Sequence, residues 1–176
     1  MHLGHLILAE EARESLGLDK IVFVPANIPP HKEGAEIAAG GARLKMLKAA
    51  IKGNKRLAVS DIELKRPGRS YTIDTIKALK SKYPGDELYF IIGSDLLTYL
   101  EEWKDLSQII KIVRFVVATR PGYALESLPQ YLTRLKIRAV DISGFEVRRC
   151  IKEGKSFRYL VPEAVYNYIN KNNLYR

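Results

Sequence analysis

Short, almost wholly apolar segments alternate along this chain with segments of helix length, and no other feature restricts its fold as much. Ile21-Val22-Phe23-Val24, Leu88 to Ile92 and Ile112 to Ala118 are near-continuous apolar runs. Strands buried on both faces have that composition, whereas a half-exposed strand alternates apolar and polar residues. Strand and helix in turn, with no internal repeat, is the pattern of an α/β fold with a parallel sheet and flanking helices.

Helical spacing covers Leu3 to Leu16, where Leu3, Leu6, Ile7, Ala9, Ala12 and Leu16 trace one face and Gly17 stands at the stop. Further helices are predicted over Ala42 to Lys52, Thr72 to Tyr83, Asp95 to Leu100, Leu106 to Lys111, Leu128 to Leu135 and Glu146 to Lys152, and from Pro162 to about Asn170. Additional strands are predicted at Arg56 to Ile62 and Ile137 to Val140. Pro25 to Gly41 reads as one long loop. Thr72 or Ser70 is placed to cap the third helix, and Ser143 the helix of Glu146 to Lys152. The whole forms a single domain, 1–176, with a C-terminal helical segment from about 143.

Hydrophobic residues make up 47% and charged residues 28% of the chain, which excludes a disordered or fibrous protein. No apolar run nears the roughly 20 residues of a membrane span. The N-terminus lacks the basic region of a signal peptide, and a lone cysteine, Cys150, allows no internal disulfide. A cytoplasmic protein is the plain reading. The net charge of +9 is spread over both halves with no basic tail. Such a field draws anions, nucleic acids and nucleotides alike.

Ligands of parallel α/β sheets bind at the carboxyl ends of the strands, and five segments there carry suitable chemistry. His2-x-Gly4-His5 sets two imidazoles on one face of a helix N-terminus, a natural phosphate site, with Gly4 leaving room for the phosphate. Two exposed histidines on a frayed end is the plainer alternative; a catalytic zinc site usually needs three protein ligands, and the chain has only three histidines, the third at His31. Pro25-Ala26-Asn27-Ile28-Pro29-Pro30-His31-Lys32 stiffens a loop that presents donors to an anion, unless it is only a solvated proline loop. Ser70-Tyr71-Thr72 opens a helix whose N–H groups suit a small carboxylate, or is merely a capped start. Phe90 to Asp95 offers a bare Gly93 and an Asp95 suited to ribose hydroxyls, with Trp103 as a flat ring for stacking or for the core. Asp141 to Arg149 carries Ser143 at a helix start and Arg148 one turn on, a phosphate clamp or a basic face.

In this order, the five segments resemble the bacterial nicotinate-nucleotide adenylyltransferases of the HxGH nucleotidyltransferase superfamily, over essentially the whole chain. The resemblance implies a Rossmann-like fold. It also implies transfer of AMP from ATP to nicotinate mononucleotide, with Mg²⁺ carried on the ATP phosphates. His2, His5 and Arg148 would be catalytic. Gly4, Gly93, Asp95 and Ser143 would join them in holding ATP. His31 and Lys32 would meet the mononucleotide phosphate, and Tyr71, Thr72 and Trp103 the pyridine ring. Ile142-Ser143-Gly144-Phe145-Glu146-Val147-Arg148 is similar to the family's ISxTxxR signature, with Phe145 in place of its Thr and one hydroxyl fewer. A related transferase with another phosphate acceptor would share His2-x-Gly4-His5 but lack the Pro-Pro-His-Lys and Ser-Tyr-Thr segments. A basic nucleic-acid-binding module would bind DNA or RNA in a salt-dependent way without turnover; neither the charge distribution nor any motif favours it.

Family members open with a central strand and a Gly-Gly-Thr-Phe-Asn-Pro loop, and neither precedes His2 here. The resemblance therefore predicts a slot in mid-sheet beside the first helix, and a natural chain longer by on the order of 10–15 residues. It predicts poor folding and little activity for the 176-residue form.

Overall fold

The structure is a computed structural model and describes residues 1–28, 37–119, 128–138 and 140–176. His31 and Lys32 lie outside the described residues. The order of elements is α1 (Leu3–Ser15), β1 (Ile21–Phe23), α2 (Gly40–Ala50), β2 (Leu57–Val59), α3 (Thr72–Lys82) and β3 (Leu88–Gly93). A 3-10 helix (Ser94–Glu102) follows, then α4 (Leu106–Ile112), β4 (Val113–Thr119), β5 (Leu132–Lys136), α5 (Gly144–Lys152) and α6 (Glu163–Lys171). Among the described residues, no helix is long and apolar enough to cross a membrane.

Among the described residues all strand pairs are parallel, in two sheets: β1 beside β2, and β3-β4-β5. Apolar residues fill both faces of the larger sheet. Phe115 and Val117 of β4, with Ile92 of β3, turn toward Ile73 and Ile76 of α3 and Ile109 of α4. Val116 turns the other way, toward Ala12 of α1 and Leu135. This two-sided burial is what made the runs continuously apolar. A separate cluster joins Met46 of α2, Val147 and Ile151 of α5, and Val165 and Ile169 of α6.

Two expectations are corrected here. Leu128 to Leu135 is not a helix, and Ile137, Arg138 and Val140 lie in no strand; the strand is Leu132–Lys136, paired from Phe115↔Leu132 to Thr119↔Lys136. Leu132 and Leu135, three apart, suit a helical face equally well. Beside β4 they serve opposite faces of the sheet, Leu132 in the α3 core and Leu135 in the α1 core. The second correction concerns α3. Its N-cap position is Tyr71, and no side chain caps it. The Ser70 hydroxyl instead accepts from the Asn27 N–H at 2.8 Å, tying the loop after β1 to the start of α3.

A polar clamp fixes α1 to the segment after β5. The buried Glu11 carboxylate accepts from the Arg138 backbone N–H at 2.6 Å and from the Arg138 Nε. Burial alone would raise the Glu11 pKa, but the hydrogen bonds and charge of Arg138 outweigh it and hold the carboxyl below its ordinary value. A carboxyl depressed on folding stabilises above its unfolded value, about 4.3, and that contribution is lost as pH falls through the folded value. Glu11→Gln is therefore expected to melt at a lower temperature than the parent at pH 7. Thermal melts of both between pH 7 and pH 3 check this, with the difference shrinking toward acid pH.

Candidate active site

Two helix N-termini meet at the amino end of the chain. His2 is the N-cap residue of α1 and is buried; His5 is the third helical residue and is exposed. The His2 N–H donates to Nδ1 of His5 at 3.4 Å, and the His5 N–H donates to the His2 carbonyl at 3.1 Å. Because His5 Nδ1 accepts, the proton of the neutral ring lies on Nε2. The two ring centroids are 3.8 Å apart, tilted by 40°. The helical spacing of three brings the imidazoles together, as the sequence predicted.

Gly4 is where it is because of this packing. A Cβ there would lie 3.1 Å from Nδ1 of His2 and 3.7 Å from the Ile142 carbonyl. The α5 terminus closes in from the other side. Ser143 caps α5, its hydroxyl accepting from the Glu146 N–H at 3.0 Å. A Cβ at Gly144 would stand 3.4 Å from a terminal nitrogen of Arg148 and 4.0 Å from the His2 ring. His2, Gly144 and Arg148 line a cavity of about 40 Å³, with Met46, Ile169 and Tyr175 at its walls. Partial positive charge from two helix starts and the full charge of Arg148 converge there, an environment for phosphate oxygens. Phe145 is largely exposed, at 66%.

At the carboxyl end of β3 the Asp95 side chain folds over Gly93, in the space a Cβ would take. A larger residue at 93 would displace that carboxylate. Trp103 lies against the α3 core, its ring edge-on to Phe90 at 5.7 Å and tilted to Phe115 at 6.2 Å. The adjacent Lys104 holds its ammonium 4.6 Å from the centre of the Tyr71 ring. Tyr71, Thr72 and Trp103 thus share one region at the start of α3. Trp103 serves the core as well, as its residue type alone allowed.

Sequence reasoning missed Arg43 and Tyr175. Arg43, half-buried on α2, donates through Nε to the Ala38 carbonyl at 3.0 Å and through Nη2 to the Asn27 carbonyl at 3.1 Å. Burial lowers its pKa, opposed by Tyr175 and Glu63. Burial raises the pKa of Tyr175, opposed by a hydrogen bond to the Ala38 backbone and by Arg148 and Arg43. Neither residue sits in a motif, so only the fold reveals them. Below this layer, Thr75 donates to the buried Glu63 at 2.7 Å and accepts from Arg66 at 2.5 Å. Among the described residues, no group of three or more His, Cys, Asp or Glu is gathered as a metal set.

Residues 1–150 match the family model described as cytidylyltransferase-like. Over its whole length the chain is 41% identical to a protein named probable nicotinate-nucleotide adenylyltransferase in Desulfitobacterium hafniense, covering 90% of it. It is 44% identical, again over its whole length, to a protein of the same name in Thermus thermophilus, covering 94% of that one. The structure superposes on a Plasmodium falciparum nicotinic acid mononucleotide adenylyltransferase complexed with NaAD with a TM-score of 0.81. That match covers 99% of this chain and 91% of the other at 18% identity, a likeness of fold. Full-length identity above 40%, on this arrangement of strands and helices, shows that the chain belongs to the nicotinate-nucleotide adenylyltransferase family.

Proposed function

We propose that the chain transfers the AMP part of ATP to nicotinate mononucleotide, releasing pyrophosphate and forming nicotinate adenine dinucleotide. The observation that carries this reading is that His2 and His5 stack at the start of α1 while Arg148 and Gly144 close in from the start of α5, an arrangement suited to holding phosphate oxygens rather than to forming a covalent intermediate. Adenylyl transfer needs none: the mononucleotide phosphate attacks the α-phosphorus in line, and the protein positions the reactants and meets the developing charge. His2, Gly4, His5, Ser143 and Arg148 hold the ATP phosphates in this reading, and Gly93 and Asp95 the adenosine side. Mg²⁺ bound to the ATP phosphates would neutralise part of their charge, and needs no cage of protein carboxylates. His31 and Lys32 are assigned to the acceptor phosphate. Tyr71, Thr72 and Trp103 are assigned to its pyridine ring, the start of α3 being free of a side-chain cap. Pyrophosphate release from ATP, measured with and without nicotinate mononucleotide, tests the assignment. Release that does not depend on the mononucleotide, or binding to DNA without turnover, would refute it.

The placement of Trp103 gives a sharper check. Trp103→Ala removes both an aromatic partner of Phe90 and a wall of the proposed ring pocket. The lost aromatic contact is worth about 0.5–1.5 kcal/mol beyond area burial, so the variant is expected to melt earlier. Its KM for nicotinate mononucleotide is expected to rise with the ATP dissociation constant nearly unchanged. Steady-state kinetics beside ATP titration separates the two effects.

A further inference from the structure

Lys104 stands on a tight junction between two helices. Trp103 closes the 3-10 helix, its N–H donating to the Leu100 carbonyl at 3.1 Å, and Asp105 opens α4 in the left-handed region at φ 57°. Few non-glycine residues adopt that conformation, and here it turns the chain sharply beside Lys104. The Lys104 ammonium lies 4.6 Å from the centre of the Tyr71 ring. Tyr71 and Trp103 both pack on the α3 core, so this cation borders the pocket assigned to the pyridine ring. From Ser94 to Asp105 the acids are Asp95, Glu101, Glu102 and Asp105, and Lys104 is the single base. Among the described residues no ion pair joins Lys104 to any of them. Two other cations of the region are already engaged. Arg66 donates to Thr75, which donates to Glu63, and the Lys77 ammonium donates to Gln108 at 2.9 Å.

We propose that Lys104 is a specificity-determining residue for the acceptor: its ammonium rests on the Tyr71 ring and moves from it to the carboxylate of nicotinate mononucleotide. The proposal rests on the adenylyl-transfer reading and adds to it. A cation over an exposed aromatic face is held weakly, and the flexible lysine stem lets its donors turn to a new partner. A carboxylate on the pyridine ring offers that partner a full opposite charge, and the amide of the nicotinamide form offers none, so the move is favoured for one form only. The neighbouring acids sharpen the contrast. Without Lys104 they would repel a carboxylate and leave a neutral amide untouched. Because Lys104 is exposed, its charge is screened by salt, over about 10 Å at 0.1 M and about 3 Å at 1 M. The preference it confers is therefore expected to shrink as salt rises.

The test uses the full chain with Lys104→Met, which keeps a stem of similar length without the charge, and with Lys104→Arg, which keeps the charge. Pyrophosphate release gives kcat/KM for the nicotinate and the nicotinamide mononucleotide in each. In Lys104→Met the ratio of the two values is expected to fall about tenfold, the loss of one charge-assisted hydrogen bond. Lys104→Arg should hold the ratio within about threefold of the parent, and added salt should shrink the parent's ratio more than that of Lys104→Met. Two values that fall by the same factor make Lys104 structural and overturn the proposal. So does a ratio unchanged in Lys104→Met, or one lost equally in Lys104→Arg. Should the parent release no pyrophosphate with either mononucleotide, the adenylyl-transfer reading falls first. Fluorescence of Trp103, the chain's only tryptophan, titrated with each mononucleotide then decides the role of Lys104 alone. Tighter binding of the nicotinate form that Lys104→Met abolishes supports it; equal binding of the two forms, or a preference kept in Lys104→Met, overturns it.

Discussion

His5→Ala is expected to lower kcat by roughly 10²–10³ while the ATP dissociation constant moves only a few-fold. His5 is exposed in the first turn of α1, whereas His2 is buried in the packing between α1 and α5. With Nδ1 accepting from the His2 N–H, Nε2 bears the proton and makes the ring a donor. Charge on the phosphoryl oxygens and on the leaving pyrophosphate grows only as the α-phosphorus bond breaks, so a donor aimed there acts on the transition state. Single-turnover kinetics beside equilibrium ATP binding checks this. Unchanged turnover with weakened ATP binding would assign His5 to ground-state binding.

The second large effect concerns the acceptor. Nicotinate mononucleotide is expected to be used some ten- to a hundredfold more efficiently than the nicotinamide form. Backbone N–H groups at an uncapped helix start favour a carboxylate over a neutral amide, and a charge-assisted hydrogen bond contributes about 1.5–3 kcal/mol. The missing cap at Tyr71 matters here, because a serine or threonine in that role would occupy the same donors. Comparing kcat/KM for the two mononucleotides measures the preference, and equal values would remove the carboxylate site from α3.

The parallel α/β class was legible because two-sided burial leaves a composition that no exposed strand shares, as β3 and β4 do. The cap at Ser143 and the pairing of His2 with His5 were legible because both depend on spacing within one helix. β5 was not, since Leu132 and Leu135 satisfy either period until β4 stands beside them. The Ser70 bond to Asn27 was hidden for the same reason: a partner 43 positions away leaves no local trace. Arg43 donates to backbone carbonyls of Asn27 and Ala38, and sequence patterns do not record backbone partners.

The division of the strands into two sheets has a mechanical consequence. A hydrogen-bonded ladder is stiff in its own plane and carries a shift of one strand into the next. Among the described residues no ladder joins β1 to β3. The two plates are joined instead through intervening elements: Ser70, just before α3, accepts from the Asn27 N–H after β1, and Asn54, before β2, donates to Glu10 of α1, whose Ala12 packs against Val116 of β4. Each such bond contributes only about 0.5–1.5 kcal/mol net. Shear of one plate past the other is therefore resisted by the helices and loops packed between them, and a substitution at one of these polar contacts can change how firmly the molecule resists it.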